Sequence, residues 1–195
     1  MRHANKMYLR GLRARFDEDG SLRFVLPGFF PQAIERVAWH AAAGHEIVLV
    51  SGTLAPLAET VRRKLEAILN RRGFAVSVRA FATRLEESGG LWTGRVLGEP
   101  MMGEAKARAA LRLADEFGKD LAHSYAYADY ASDRWLLRAV GIPAAVNPTW
   151  RLERIARANR WPILRWCAAP GAAAKQRGAS ECGEMPLCRQ MRKTT

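Results

Sequence analysis

Cysteine is scarce and confined to the end of the chain: Cys167, Cys182 and Cys188 are its three copies, with no CxxC pair. An odd number of late, irregularly spaced thiols in 195 residues does not build a disulfide framework, and the cysteines read as incidental. Histidine is equally sparse, with four scattered copies, so a zinc site of the usual type lacks ligands. Long apolar runs are missing too. The stretch around Ile47–Val50 is far too short to cross a bilayer, so no membrane partner is expected. Residues 1–15 carry basic charge without the continuous apolar run of a signal peptide, and a cytoplasmic location is the expectation.

Acidic side chains are the other shortage, 19 against 31 lysines and arginines, for a net charge of +12. Position decides what that excess means. Residues 1–15 hold five basic groups and no acidic one, and residues 171–195 hold five basic and two acidic. The interior is only mildly basic. A nucleic-acid surface needs its charge gathered on one folded face, which argues against such a partner. What the chain has in plenty is apolar residues, 49%, enough for a real core.

Strand-like and helix-like segments alternate from Pro31 onward. PQAIERVAWHAAAG reads as a helix with proline in its first turn, an apolar face of Ile34, Val37, Ala38 and Ala41, and Gly44 as its stop. HEIVLVSGT follows, a continuous apolar run of the kind that forms a buried parallel strand. A helix from near Pro56 comes next, then strand-like FAVSVRAFATRLE, a break at EESGG and a short extended LWTGRVLGE. GEAKARAALRLADEFGKDL predicts a long amphipathic helix burying Ala105, Ala109, Leu111, Leu113 and Phe117. SYAYADYASD begins as a strand, RWLLRAVG reads as a helix closed by Gly141, and IPAAVNP, TWRLERIARANRW and WPILRW follow as strand, helix and last strand. The six tryptophans are expected in packing roles, and His40, His45 and His123 at element edges. The βαβ spacing predicts an α/β fold with a parallel sheet, whose function sits at the carboxyl ends of the strands.

Two polar clusters fall at such ends. Ser51, Gly52 and Thr53 offer a hydroxyl and backbone N–H groups suited to an anionic oxygen. Asp129 and Asp133 are hard carboxylates of the type that holds Mg²⁺, and Lys106 is one ammonium early in a helix. Each has a plainer reading: Ser51 or Asp129 as helix caps, Asp133 as a first-turn residue favoured by the helix dipole, Lys106 as a solvated side chain. Together they spell phosphate plus magnesium.

The chain resembles the haloacid dehalogenase-like hydrolases, in the subgroup close to phosphoserine phosphatase. VLVSGT is similar to the family's second motif, Lys106 in GEAK to the third and AYADYASD to the fourth, with Ala128 and Tyr130 where glycine and serine are usual. The ATRLE, LWTGRV, GIPAAVNP and RWPILRW stretches share the likeness, which runs from about Pro27 to Trp166. The resemblance implies a three-layer Rossmann-like sheet and a Mg²⁺-dependent phosphatase acting on a small phosphorylated substrate. Ser51 would bind the phosphoryl group, Lys106 would steady it, Asp129 would hold Mg²⁺ and Asp133 would orient the metal site.

One motif departs. The family's first motif is an apolar strand ending in DxDGT, normally separated from the second by a helical cap. Here Asp17-Glu18-Asp19-Gly20-Ser21 has the letters, but Arg10, Arg13 and Arg15 make the preceding stretch a poor buried strand. Asp17 to Ser51 also leaves no room for a full cap. A surface turn in a cap remnant is the cheaper account of Asp17 and Asp19. The expected organisation is a basic segment or cap remnant over 1–26, a core over 27–167 and a disordered tail over 168–195. The reading is a truncated or degenerate phosphatase; the alternatives are a noncatalytic phosphate-binding protein and, third, a basic nucleic-acid module. A sheet edge left by a missing strand would invite a homodimer.

Overall fold

A computed structural model of the chain describes residues 6–13 and 28–167. Asp17 and Asp19, Cys182 and Cys188, and the tail from 168 lie outside the described residues. The elements run α1 (Pro31–Ala42), β1 (Ile47–Leu54), α2 (Ala55–Arg71), β2 (Val78–Ser88), β3 (Leu91–Leu97), α3 (Glu104–Phe117), β4 (Tyr125–Ala128), α4 (Arg134–Ala139), β5 (Ile142–Val146), α5 (Trp150–Ala158) and β6 (Ile163–Leu164). Pro31 opens α1, where its missing N–H costs nothing. None of the helices among the described residues is long and apolar enough to cross a membrane.

The architecture is the expected three-layer α/β type, but its strands form two groups, β1-β2-β3 and β4-β5-β6. β1 and β2 pair in parallel from Ile47 against Val78 to Ser51 against Ala82. β4, β5 and β6 are also parallel. β3 adds an antiparallel member: β2 runs on through Glu86–Ser88 of the expected break and turns back at its Gly89-Gly90 into a hairpin.

Two apolar cores follow from this division. Ile34 and Ala38 of α1 meet Leu65 and Leu69 of α2 and Val78 of β2. Ala126 and Ala128 of β4 meet Leu137 of α4, Ala145 of β5, and Leu152 and Ala156 of α5. The alternation within β4 is what makes two layers: its alanines face α4, and Tyr127 faces Ala144, Val146 and Trp166 on the other side.

Several local expectations are corrected. Residues 6–12, within the expected basic segment or cap remnant, lie along β3, with Lys6 N donating to Gly94 O at 3.0 Å and Trp92 N to Leu12 O at 2.9 Å. Gly94 permits this approach: at φ +83 a side chain would be strained, and a Cβ there would sit 2.9 Å from the Met7 Cα. In α3 the buried stripe is Ala105, Ala109, Leu113 and Ala114, whereas Leu111, half a helical turn from Ala109, is 52% exposed. Trp150 is 63% exposed and packs no core. Cys167, read as incidental, is disulfide-bonded.

Candidate active site at the strand ends

The end of β1 is held in place by a buried threonine that sequence reasoning passed over. Thr83 on β2 donates its hydroxyl to the Gly52 carbonyl at 3.1 Å and accepts the Met101 N–H at the same distance. It is 1% exposed, so both bonds are shielded from water. One side chain thus ties the Ser-Gly-Thr bend to the loop that opens α3. Gly52 lies against that loop, since a Cβ there would stand 3.0 Å from the Met102 side chain. Ser51 does not cap α2. It lies inside β1, the cap position belongs to Leu54, and the Ser51 hydroxyl accepts the Thr53 N–H at 3.2 Å.

Lys106 sits in the first turn of α3 and reaches across to β4's carboxyl end. Its Nζ is 2.8 Å from Asp133 Oδ1, and the two side chains are only 12% and 8% exposed. Lys106 is therefore no solvated surface residue. Asp133 occupies the cap position of α4 but makes no cap hydrogen bond, because its carboxylate is turned to the lysine. Ser132 Oγ also approaches Asp133 Oδ1, at 3.4 Å. Asp129 ends β4 and is exposed; its carbonyl accepts the Thr149 N–H at 2.9 Å, which fixes the loop before α5 beside it. Tyr130, in the family's serine position, is 57% exposed.

The structure thus gathers the Ser51 bend, Lys106 and Asp133 around the entry to α3, with Asp129 at the adjoining strand end. Among the described residues no group of three or more His, Cys, Asp or Glu forms a metal cluster. Two carboxylates are nevertheless a fitting donor set for Mg²⁺, which keeps much of its water and takes one or two protein carboxylates plus substrate oxygens. Asp129 is open to solvent, whereas one oxygen of Asp133 is already committed to Lys106.

A second cluster, also unforeseen, lies at the opposite end of the same strands. His40, in the last turn of α1, is buried among Trp39, Tyr125 and Tyr127. Its Nε2 is 2.9 Å from the Tyr127 hydroxyl and its Nδ1 is 2.8 Å from His45 Nδ1. Burial, reinforced by His45 and Arg36, holds His40 down at about 4, and burial pushes Tyr127 up to about 12. Only the strand alternation of SYAYA hinted that both tyrosines share one face.

A pH effect on stability follows from His40. The unfolded imidazole takes up a proton near 6.5, whereas the native one waits until about 4. Native His40 therefore contributes stability above pH 6.5 that is lost as the pH falls toward 4, by at most about 3 kcal/mol. Urea midpoints at pH 7 and 4.5 should show the loss, and His40→Gln should flatten that part of the profile. An unchanged slope in the variant would assign the acid sensitivity to carboxylates instead.

The strand order puts Ser51, Asp129 and the buried Lys106–Asp133 pair at the carboxyl ends of the strands of an α/β fold. The haloacid dehalogenase-like hydrolase family matches over residues 1–138, and the chain belongs to that family. Its relatives place it in the phosphoserine phosphatase-like branch. A phosphoserine phosphatase of Mycobacterium tuberculosis is 34% identical over 139 residues, covering 71% of this chain and 42% of that protein. A probable phosphatase of the same organism is 33% identical over 159 residues, covering 77% and 52%. A crystal structure of a protein of unknown function from Bordetella pertussis is 31% identical with a TM-score of 0.58, covering 72% of this chain and 60% of that one. The chain spans about half the length of these curated relatives.

Proposed function

We propose that this chain carries the phosphoryl- and cation-binding machinery of a Mg²⁺-dependent hydrolase of small phosphomonoesters. The observation that supports it best is the buried Lys106–Asp133 pair beside the Ser51 bend. A lysine kept dry at 2.8 Å from its partner is a fixed positive charge, worth more to an incoming phosphoryl group than a solvated one. In this reading Ser51, with the N–H groups of Gly52 and Thr53, takes the phosphoryl oxygens, and Lys106 neutralises them. Asp129 and Asp133 would hold the cation. When bound, Mg²⁺ supplies further charge neutralisation on the phosphoryl group. Asp133 also sets the position of the lysine ammonium.

Asp17 and Asp19 have the letters of the first motif, although a surface turn is their cheaper account, and a noncatalytic phosphate-binding protein is the competing function. The test separates binding from turnover. Inorganic phosphate binding, followed by calorimetry with and without Mg²⁺, is expected to strengthen with the ion, and Asp129→Asn should weaken that enhancement at least tenfold. Equal binding by the variant would remove Asp129 from the site. Hydrolysis of a generic phosphomonoester that disappears in Asp17→Asn would make the chain an enzyme with its nucleophile there. Binding without hydrolysis would favour the noncatalytic reading.

A further inference from the structure

The phosphate site is assembled from two pieces of chain far apart in sequence, the bend at the end of β1 and the first turn of α3. Both can act on one phosphoryl group only if their separation is fixed. An ammonium attracts an anionic oxygen less as the distance grows, and N–H donors bond only within a narrow range. Asp133 holds the Lys106 ammonium from the side of β4, at 2.8 Å. That contact sets no distance between α3 and the β1 bend.

The link between those two pieces runs through Thr83. The pairing of β1 with β2 steps from Ser51 against Ala82 to Leu54 against Thr83, so Gly52 and Thr53 stand out of the ladder without register partners of their own. A bulge of this kind re-aims the backbone at a strand end, and its carbonyl needs a donor from outside the ladder. The Thr83 hydroxyl supplies it, donating to Gly52 O at 3.1 Å while accepting the Met101 N–H at 3.1 Å. A hydroxyl has one proton and two lone pairs, so one oxygen serves both bonds, and the accepted N–H polarises the O–H that is donated. The two backbones also lie close together, since a Cβ on Gly52 would stand 3.3 Å from Met101 O. From Met101 the chain turns through Gly103, at φ +57, straight into α3, where Ala105 N and Lys106 N donate to Met102 O and Gly103 O. The stretch from the Thr83 contact to the lysine is therefore short and internally bonded.

We propose that Thr83 is a positioning residue of the phosphate site, a role that rests on phosphoryl binding by Ser51, the N–H groups of Gly52 and Thr53, and Lys106. Its hydroxyl touches no substrate. It fixes how far the donors of the β1 bend stand from the Lys106 ammonium, so that both meet one phosphoryl group without reorganisation. Valine fills the space of threonine and keeps the branched Cβ that suits a strand, but it lets go of both backbones. Serine keeps the oxygen and loses only a methyl group. A merely structural threonine would make the valine variant easier to unfold and leave its phosphate affinity, once folded, at the wild-type value.

The full chain and its Thr83→Val, Thr83→Ser and Leu69→Ala variants are titrated with inorganic phosphate by calorimetry, with and without Mg²⁺, at a temperature where circular dichroism shows each one folded. Leu69 lies near the end of α2, wholly buried against α1 and β2, and supplies a variant of lowered stability with no part in the site. Thr83→Val should bind phosphate about tenfold more weakly or worse, the scale on which a displaced binding group is felt. Its strengthening by Mg²⁺, which runs through Asp129, should keep the wild-type ratio. Thr83→Ser should stay within about threefold of wild type, because both hydrogen bonds survive, and Leu69→Ala should match it. Amide exchange in Thr83→Val should quicken at Thr53 and at Met101, whose N–H has lost its acceptor, and stay unchanged in β4 and β5. Thr83→Ala, which sets no methyl group against the freed carbonyl and N–H, takes the place of Thr83→Val if that variant does not fold. A loss of affinity below about threefold in the valine variant, an equal loss in Leu69→Ala, or a loss that serine does not restore overturns the positioning role and leaves phosphate binding standing. Disappearance of the Mg²⁺ effect in Thr83→Val overturns it too, since the whole site has then collapsed. Absence of phosphate binding in the wild type removes the phosphate site itself, and the role of Thr83 with it.

Discussion

Lys106→Met should lower the unfolding free energy by about 3–5 kcal/mol, the usual cost of stripping one partner from a buried ion pair. The loss comes less from the missing attraction than from the carboxylate left behind. Asp133 is 5% exposed and its Oδ1 faces Lys106 Nζ at 2.8 Å. With methionine in place, the charge has neither water nor cation near it. Asp133→Asn in the Lys106→Met background should therefore recover a large part of the stability, because a neutral amide does not need an opposite charge. Urea unfolding of the wild type, both single variants and the double variant closes the cycle. The pair between Arg108 and Glu104 is the built-in comparison, since both side chains are about half exposed and an exposed pair is worth about 0–1 kcal/mol. If Lys106→Met costs no more than Arg108→Ala, the pair is solvated in solution and the fixed-charge argument for the phosphate site fails with it. Phosphate affinity should fall in both Lys106 variants, including the one whose stability is restored, which separates binding from folding.

Gly141→Ala should be worse still, costing more than about 3 kcal/mol or abolishing folding, at the upper end of what overpacking does. A Cβ built on Gly141 would lie 1.7 Å from the Ala122 carbonyl oxygen and 2.6 Å from its carbon. Both are backbone atoms, so no rotamer change relieves the clash. The glycine N–H also donates to the Leu121 carbonyl at 2.8 Å, which pins the start of β5 against the turn before β4. Moving the two apart would disturb the Tyr125–Ile142 register on which the second half-sheet begins. The sequence suggests a milder role, a helix stop, and a glycine needed only for a left-handed turn would cost about 1 kcal/mol on replacement. Gly141 does not have a positive φ, and α4 ends at Ala139 with Val140 already extended. Denaturant midpoints, or simple recovery of folded protein, distinguish the two: a loss near 1 kcal/mol would refute the close-packing account.

Much of the fold was legible because the relevant signals are local. Pro31 and Gly44 bracket one helix, and the alternation in SYAYA and the short apolar run IPAAV mark two strands. The positions of SGT and of Asp129 and Asp133 at strand ends follow from that order alone. The hairpin was less legible. EESGG looks like an interruption in a one-dimensional pattern, yet β2 needs that length to reach back and pair Glu87 with Trp92 and Ser88 with Leu91. Leu111 misled for a related reason: it is apolar, but its angle around α3 points it away from the stripe of small residues that packs inward.

The site divides in the same way. Residue types and spacing nominate Ser51, Lys106, Asp129 and Asp133, since hydroxyl, ammonium and carboxylate chemistry is written in the side chains. Spacing does not say that Lys106 and Asp133, 27 positions apart, share one dry contact, or that Thr83 ties the β1 bend to the α3 loop. Nor does it give His40, whose proton affinity is set by what buries it.

The sequence by itself determined the order of strands and helices, the scarcity of metal-binding side chains and the kinds of charge available at the strand ends. These depend on periodicity and composition, which any stretch of chain carries with it. Tertiary structure alone decided which charges are dry, why Gly141 tolerates no methyl group and that, among the described residues, β1 pairs only with β2 and β4 only with β5. Those outcomes depend on distances between residues far apart in the chain, and only the packed helices and sheets set them.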